Sequence, residues 1–123
     1  MKKFPVVFFA LASIIFIACR HFGNGNLSIS NSESGRYYSM KAHFDQKKTR
    51  EVEEYMNDRI GSGYMSFVNT RIDGLLALED HTKIYVKKYP GFIEIKIDKS
   101  QNSNEACQRI KSMCEGIKNI LAK

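Results

Sequence analysis

An apolar stripe near the C-terminus constrains the fold more than any other feature of this chain. Between residues 103 and 121 apolar side chains recur every three or four positions, which is the period of one helix face. They are Ala106, Cys107, Ile110, Met113, Cys114, Ile117, Ile120 and Leu121. A stripe this broad has to pack against another layer. Ile93, Ile95 and Ile97 supply one side of a strand just before it, so we expect the helix to lie across a sheet.

Other segments alternate between apolar and polar residues, as half-buried strands do. Residues 37–44, 75–78 and 83–89 are predicted to be strands. The dipeptide Pro90-Gly91 then predicts a tight turn, because proline presets φ at the second turn position and glycine accepts positive φ at the third. The turn leads into the strand over 92–98.

A first helix is predicted between the first two of these strands. Asp45 has the character of an N-cap residue, and the helical spacing of apolar residues continues to about Ile60. Gly61 would end the helix as a left-handed cap. Residues 64–73 fit either a helix or a strand, and the strand-forming residues within them favour a strand.

These elements predict an α+β domain. We expect a two-layer sandwich, in which an antiparallel sheet of about four strands carries two helices on one face, in the order β-α-β-β-β-α.

The N-terminus has the pattern of an export signal. Lys2 and Lys3 precede an apolar run from Phe4 to Ala18, and Cys19 follows it. The segment ending in Cys19 resembles the lipobox of bacterial lipoproteins, with Phe16 at a position where leucine is usual. This resemblance covers residues 1–19 alone.

The resemblance implies lipidation of Cys19, cleavage before it, and acylation of the new amino group. The chain would then belong to the bacterial cell envelope, with a lipid anchor in the membrane and its domain on the periplasmic or extracytoplasmic side. Two alternatives stay open: an ordinary signal in which Cys19 has no role, and an uncleaved membrane anchor.

The chain is predicted to have three regions: a signal peptide at 1–18, the lipidated Cys19 with a flexible tether at 19–36, and one domain at 37–123. Ten of the seventeen residues from 20 to 36 are Gly, Asn or Ser, which disfavours a buried core there. Removing Lys2 and Lys3 lowers the formal charge from +6 to +4.

One strand face is a candidate binding surface. Tyr85, Lys87 and Tyr89 lie opposite the apolar side of their strand, and Phe92 and Lys96 continue this face on the next strand. Aromatic and basic residues on an open sheet can stack on single-stranded nucleic acid. Export argues against that ligand, so an envelope protein, a glycan or a second copy of the chain is the expected partner.

Cys107 and Cys114 allow two interpretations. Seven helical residues separate their Cα atoms by about 10.5 Å, too far for a disulfide between them. In the first interpretation they are buried core thiols. In the second they are exposed to chemistry, either as a redox or small catalytic site or through an intermolecular disulfide.

No other pattern predicts catalysis, a cofactor or a metal. His21, His43 and His81 are scattered, and the carboxylates of Asp73, Glu79 and Asp80 lack the spacing of a calcium loop. The sequence therefore leaves three hypotheses. The first is a non-enzymatic lipoprotein that presents a binding surface, the second a thiol-dependent module, and the third an accessory without a dedicated ligand.

Overall fold

The computed structural model describes the backbone of residues 15–20 and the whole of residues 27–60 and 66–123. It has an α+β fold, as predicted. The strands are β1 (Ile15–Arg20), β2 (Leu27–Glu33), β3 (Tyr37–His43), β4 (Ile72–Ala77), β5 (Lys83–Tyr89) and β6 (Phe92–Asp98). The helices are α1 (Thr49–Ile60) and α2 (Asn104–Leu121), and single 3-10 turns occupy Gln46–Lys48 and Lys99–Gln101.

The sheet is antiparallel throughout and larger than predicted. Its order is β1-β2-β3-β6-β5-β4, so β2 to β6 form a five-stranded unit to which β1 pairs at one edge. The prediction of about four strands missed β2. The central pairing joins distant parts of the chain, since Tyr37 lies opposite Asp98.

The flexible tether predicted over residues 19–36 is wrong for Leu27–Glu33, which form β2. The serines of this segment occupy one face of the strand, and Ile29 on the other face is buried against the core. Asn31 donates a hydrogen bond to the Tyr38 hydroxyl at 2.9 Å and accepts one from Lys118 Nζ at 3.1 Å. The polar composition of this segment did not predict a strand. Its contacts with the rest of the domain include those of one apolar side chain, Ile29, and one amide side chain, Asn31.

Both helices pack on the same face of the sheet. Asp45, the predicted N-cap, caps the 3-10 turn Gln46–Lys48 that leads into α1. Its side chain accepts a hydrogen bond from the backbone N–H of Lys47. The side chain of Ser103 caps α2 in the same way. The whole predicted stripe of α2 is buried. All of it except Ala106 shares one core with the inward residues of the strands and with Val52 and Met56 of α1.

The strand predicted within residues 64–73 is wrong for residues 66–71. These residues form a loop with a turn at Val68-Asn69, and β4 begins only at Ile72. Asn69 has a positive φ of 59°, which a continuous strand does not accommodate. The loop is nevertheless anchored, because Phe67 is completely buried and its N–H donates to Asn57 Oδ1 at 3.0 Å. The predicted cap at Gly61 lies outside the described residues.

The turn between β5 and β6 is the one predicted. Gly91 has a φ of 82°, and a Cβ at this position would lie 3.0 Å from the carbonyl oxygen of Phe44. The N–H of Gly91 donates to Thr49 Oγ1 at 2.9 Å, so the turn is fixed to the start of α1. Of the helices in the described ranges, none has both the length and the apolar content needed to cross a bilayer.

Candidate functional site

The face of the sheet opposite the helices is not covered by any described element, and we call it the open face. Strands β3 to β6 direct every second side chain to it. These side chains belong to Tyr37, Ser39, Lys41, His43, Asp73, Leu75, Ala77, Lys83, Tyr85, Lys87, Tyr89, Phe92, Glu94, Lys96 and Asp98. All five residues predicted as a binding surface are among them.

The strand register brings the predicted residues into adjacent rows. Tyr85 lies directly opposite Lys96 on one side and Leu75 on the other. In the next row Lys87 lies between Glu94 and Asp73. Aromatic, apolar and charged side chains of both signs therefore share one continuous surface.

Phe92 lies on this face but has little free surface. Its side chain is only 6% exposed, because the rings of His43 and Tyr89 pack on either side of it. Both ring centroids lie 4.8 Å from that of Phe92, with Tyr89 stacked at 15° and His43 tilted at 58°. Phe92 therefore supports its neighbours and offers little contact area of its own.

The tyrosines of the open face are held in defined positions. The Tyr85 hydroxyl donates to Asp73 Oδ1 at 3.0 Å, and this hydrogen bond raises the pKa of Tyr85 because it stabilises the protonated phenol. The guanidinium of Arg71 lies 5.7 Å from the ring centroid of Tyr89. Preset side chains lose less entropy when a partner binds them.

The two large apolar residues that this face exposes most, Tyr37 and Leu75, were not among the five predicted. Tyr37 is 41% exposed, and Lys96 Nζ lies 5.9 Å from its ring centroid. Leu75 is 81% exposed, which is unusual for a leucine within a sheet. The alternation of β3 already assigned Tyr37 to this face. The exposure of Leu75 depends on β4 being the last strand of the sheet, which the sequence alone does not show.

The open face carries charges of both signs. Its strand residues include four lysines (Lys41, Lys83, Lys87 and Lys96) and three carboxylates (Asp73, Glu94 and Asp98), a net charge of +1. The guanidiniums of Arg36 and Arg71 lie over Tyr37 and Tyr89 on the same face. A surface that tracks a nucleic-acid backbone is strongly positive. On the strands of the open face, by contrast, negative side chains are interspersed with the positive ones.

Cys107 and Cys114 lie in the core, away from the open face. Both thiols are buried, and burial raises the pKa of Cys114 to about 12 although the Tyr38 hydroxyl hydrogen-bonds to it. A thiol in this state is almost entirely protonated at neutral pH, and the thiolate is the reactive form. These surroundings favour a packing role for Cys114.

The residues that resembled metal ligands are dispersed. The described residues contain no group of three or more His, Cys, Asp or Glu side chains that could hold a metal ion. Asp73 binds the Tyr85 hydroxyl, whereas Asp80 pairs with Arg109 on α2. His81 occupies the β4–β5 turn with a positive φ of 70°.

A buried ion pair behind the sheet was also missed. Lys88 Nζ lies 2.6 Å from Glu53 Oε2, and the two side chains are only 2% and 6% exposed. Lys88 Nζ also donates to the carbonyl of Thr70, and Glu53 Oε1 accepts from the N–H of Asn69 at 2.9 Å. Alternation along β5 places Lys88 inward, which is the one signal in the sequence for this pair.

Glu53 of this ion pair also lines a groove beside α1. The groove has a volume of about 640 Å³ and lies between the start of α1, the loop over 66–71 and Pro90. Its basic lining residues are Lys47, Arg50 and Arg71, of which Arg50 already pairs with Glu54 at 3.0 Å and Arg71 lies over Tyr89. The groove therefore borders the open face at Arg71.

Comparison of this chain with protein-family models, with curated proteins and with solved structures found no match.

Proposed function

We propose that this chain is a non-enzymatic, exported protein that is anchored to a membrane through lipid on Cys19. Its open face binds a protein partner in the bacterial cell envelope. The observation that carries the proposal is the row of Tyr85, Lys96 and Leu75 on a sheet face that no described element covers. Protein interfaces are rich in tyrosine, and exposed apolar groups beside charges of both signs suit a protein surface.

The surroundings of the two cysteines of α2 argue against thiol chemistry as the function. A redox or catalytic thiol needs access and a lowered pKa. Cys107 and Cys114 are both buried, and the pKa of Cys114 is raised. We therefore do not propose the thiol-dependent function.

The proposed processing would change one edge of the sheet. Cleavage before Cys19 removes Ile15 to Ala18, which are the first four residues of β1. Seven residues, 20–26, then separate Cys19 from β2, and even fully extended they span no more than about 25 Å. The domain would lie close to the membrane, on a connector much shorter than the tether expected from the sequence.

Site-specific photo-crosslinking in bacterial cells tests the binding proposal. A photoreactive residue at Tyr85 or Lys96 is expected to form a discrete adduct with an envelope protein. The same residue at Gln108 or Glu115, exposed on the outer side of α2, is the matched control and should give none. Replacing Tyr85 and Tyr89 by Ser should abolish the adduct formed at Lys96 while the circular dichroism stays unchanged. An adduct of equal yield from the helix positions would contradict the proposal.

Metabolic labelling with a fatty acid tests the anchor. The parent chain is expected to incorporate the label, and Cys19→Ser should lose it and accumulate as a longer precursor. Cys107→Ala is the control and should keep the label. Normal processing of Cys19→Ser would refute lipidation at this residue.

A further inference from the structure

The outer edge of β4 is free, since β4 is the last strand of the sheet and no described residue pairs with its outer side. Natural proteins usually protect such edges with Lys, Pro, a bulge or a covering loop. The sequence of β4, IDGLLA, has neither Lys nor Pro, and Asp73 is its one charged residue. We call the outer side of residues 71–79 the β4 edge.

The β4 edge is apolar on both sides of the sheet. Leu75 projects from the open face and is 81% exposed. On the helix side, Leu76 and Leu78 are only partly buried against the core. A strand added here would therefore cover apolar surface on both faces while it satisfied the backbone groups of the edge.

We infer that two copies of this chain pair antiparallel through their β4 edges, with Leu75 opposite Leu75 of the second copy. A second copy is the occupant because the edge is self-complementary in this register. Asp73 then lies opposite Ala77, and just beyond the strand ends Arg71 faces Glu79, which carries the opposite charge. Ala77 is small and pairs with Lys83 of β5, so Asp73 of the second copy comes within reach of the Lys83 ammonium.

Other symmetric registers are less favourable. Residues directly opposite each other must share a face, so each register is centred on one residue. A centre at Asp73 opposes two carboxylates, and a centre at Leu76 brings Asp73 against Glu79. A centre at Gly74 sets Asp73 against Leu75. Like charges directly opposite destabilise a strand pair. A centre at Ile72 or Ala77 leaves only that one residue of β4 opposite the β4 strand of the second copy, so Leu75 is the preferred centre.

The predicted pair has a defined shape. Its twofold axis passes through the β4 edges perpendicular to the sheet, so both open faces point the same way and both helical layers lie on the other side. The inference does not rest on lipidation of Cys19 or on the open face binding an envelope protein.

Disulfide crosslinking of the full chain tests the register. In the proposed pair the Cα atoms of the two Leu75 residues are about 4.5–5.5 Å apart, within disulfide range. Leu75→Cys should therefore form a disulfide-linked dimer, mapped to position 75 by peptide mass spectrometry. Asp73→Cys and Ala77→Cys should each fail to link alone, because identical residues would be about 13 Å apart, but should link to each other when mixed. The parent chain controls for Cys19, Cys107 and Cys114.

Sedimentation of the purified full chain in detergent gives a second measurement. The parent should be a dimer, and Leu75→Lys, which sets two ammonium groups opposite each other, should weaken dimerisation at least tenfold without changing the circular dichroism. Gln108→Lys on α2 is the charge-matched control and should leave the dimer intact. A monomeric parent, a dimer insensitive to Leu75→Lys, or self-linking of Asp73→Cys would each overturn the inference.

Discussion

Cys107 and Cys114 show how surroundings determine the chemistry of a residue. Both lie on the apolar stripe of α2, and the stripe alone indicated their burial. The sequence did not indicate that the Tyr38 hydroxyl of β3 would lie against Cys114. That contact depends on which strand the helix crosses, and a pattern within α2 carries no such information.

We predict that neither α2 thiol reacts with iodoacetamide in the native protein. Burial excludes the reagent, and the raised pKa of Cys114 leaves almost no thiolate at pH 8. Peptide mass spectrometry should show modification of both residues in urea and of neither in buffer. Rapid native labelling of either would restore the thiol-dependent hypothesis.

The stability of the protein should fall as the pH decreases from about 5 to 2, because three carboxyl groups have lowered pKa values in the folded state. The hydrogen bond from Arg36 and those from Ser100 hold the pKa of Asp98 at about 2. Burial alone would raise the pKa values of Asp80 and Glu33. For Asp80, hydrogen bonds from Thr82 and the charge of Arg109 outweigh burial and lower the pKa. For Glu33, hydrogen bonds from Lys111 and Lys99 and their charges do the same.

Stability falls at low pH because carboxyl groups of the unfolded chain take up protons near pH 4, above the pKa values of these three groups in the folded state. The stabilisation is present above that pH and is lost as the pH falls towards the folded-state values. Arg36→Gln should flatten the dependence of the unfolding free energy on pH between 2 and 4, as measured with urea. Arg50→Gln removes the same charge elsewhere and is the control. An unchanged slope in Arg36→Gln would contradict the assignment to Asp98.

At the scale of elements, the loop over 66–71 is held by the ion pair of Glu53 and Lys88. Strand-forming residues in the loop favoured a strand, but the backbone N–H of Asn69 and the carbonyl of Thr70 bond instead to these two buried side chains. Alternation correctly placed Ile84 and Val86 of β5 inward. The same alternation placed Lys88 inward too, yet its partner lies 35 residues away on α1 and becomes apparent only in the fold.

Removing either member of this pair should be strongly destabilising. We expect Lys88→Ala to lower the free energy of unfolding by about 3–5 kcal/mol, because it leaves the Glu53 carboxylate buried without a counter-charge. The free energy of unfolding of the double variant Glu53→Leu, Lys88→Met should fall by less than the sum of the losses in Glu53→Leu alone and Lys88→Met alone, since no unpaired charge remains. Urea denaturation measures all of these free energies.

The exposed pair of Arg50 and Glu54 on α1 provides the control for this comparison. Their side chains are 67% and 59% exposed, and breaking such a pair costs no more than about 1 kcal/mol. A loss of that small size for Lys88→Ala would show that the buried pair does not stabilise the loop.

At the scale of the molecule, the helical layer and strands β3, β5 and β6 could be predicted because their apolar periods are nearly uninterrupted. β2 could not, since Ile29 is its one buried apolar residue and serines interrupt the apolar pattern. The membership of the open face followed from alternation within single strands. Its rows depend on the order of the strands, which local patterns do not specify.

The strand order also sets the sequence of events in folding. β2 and β3 are close in the chain and form a local hairpin, but the other side of β3 pairs with β6, whose residues come about 50 to 60 positions later. Closing such a long loop is slow compared with forming a hairpin. Because synthesis proceeds from the N-terminus, β3 has an unsatisfied edge until nearly the whole chain has emerged. A nascent chain that stops before residue 92 therefore has two separate half-sheets and no common core.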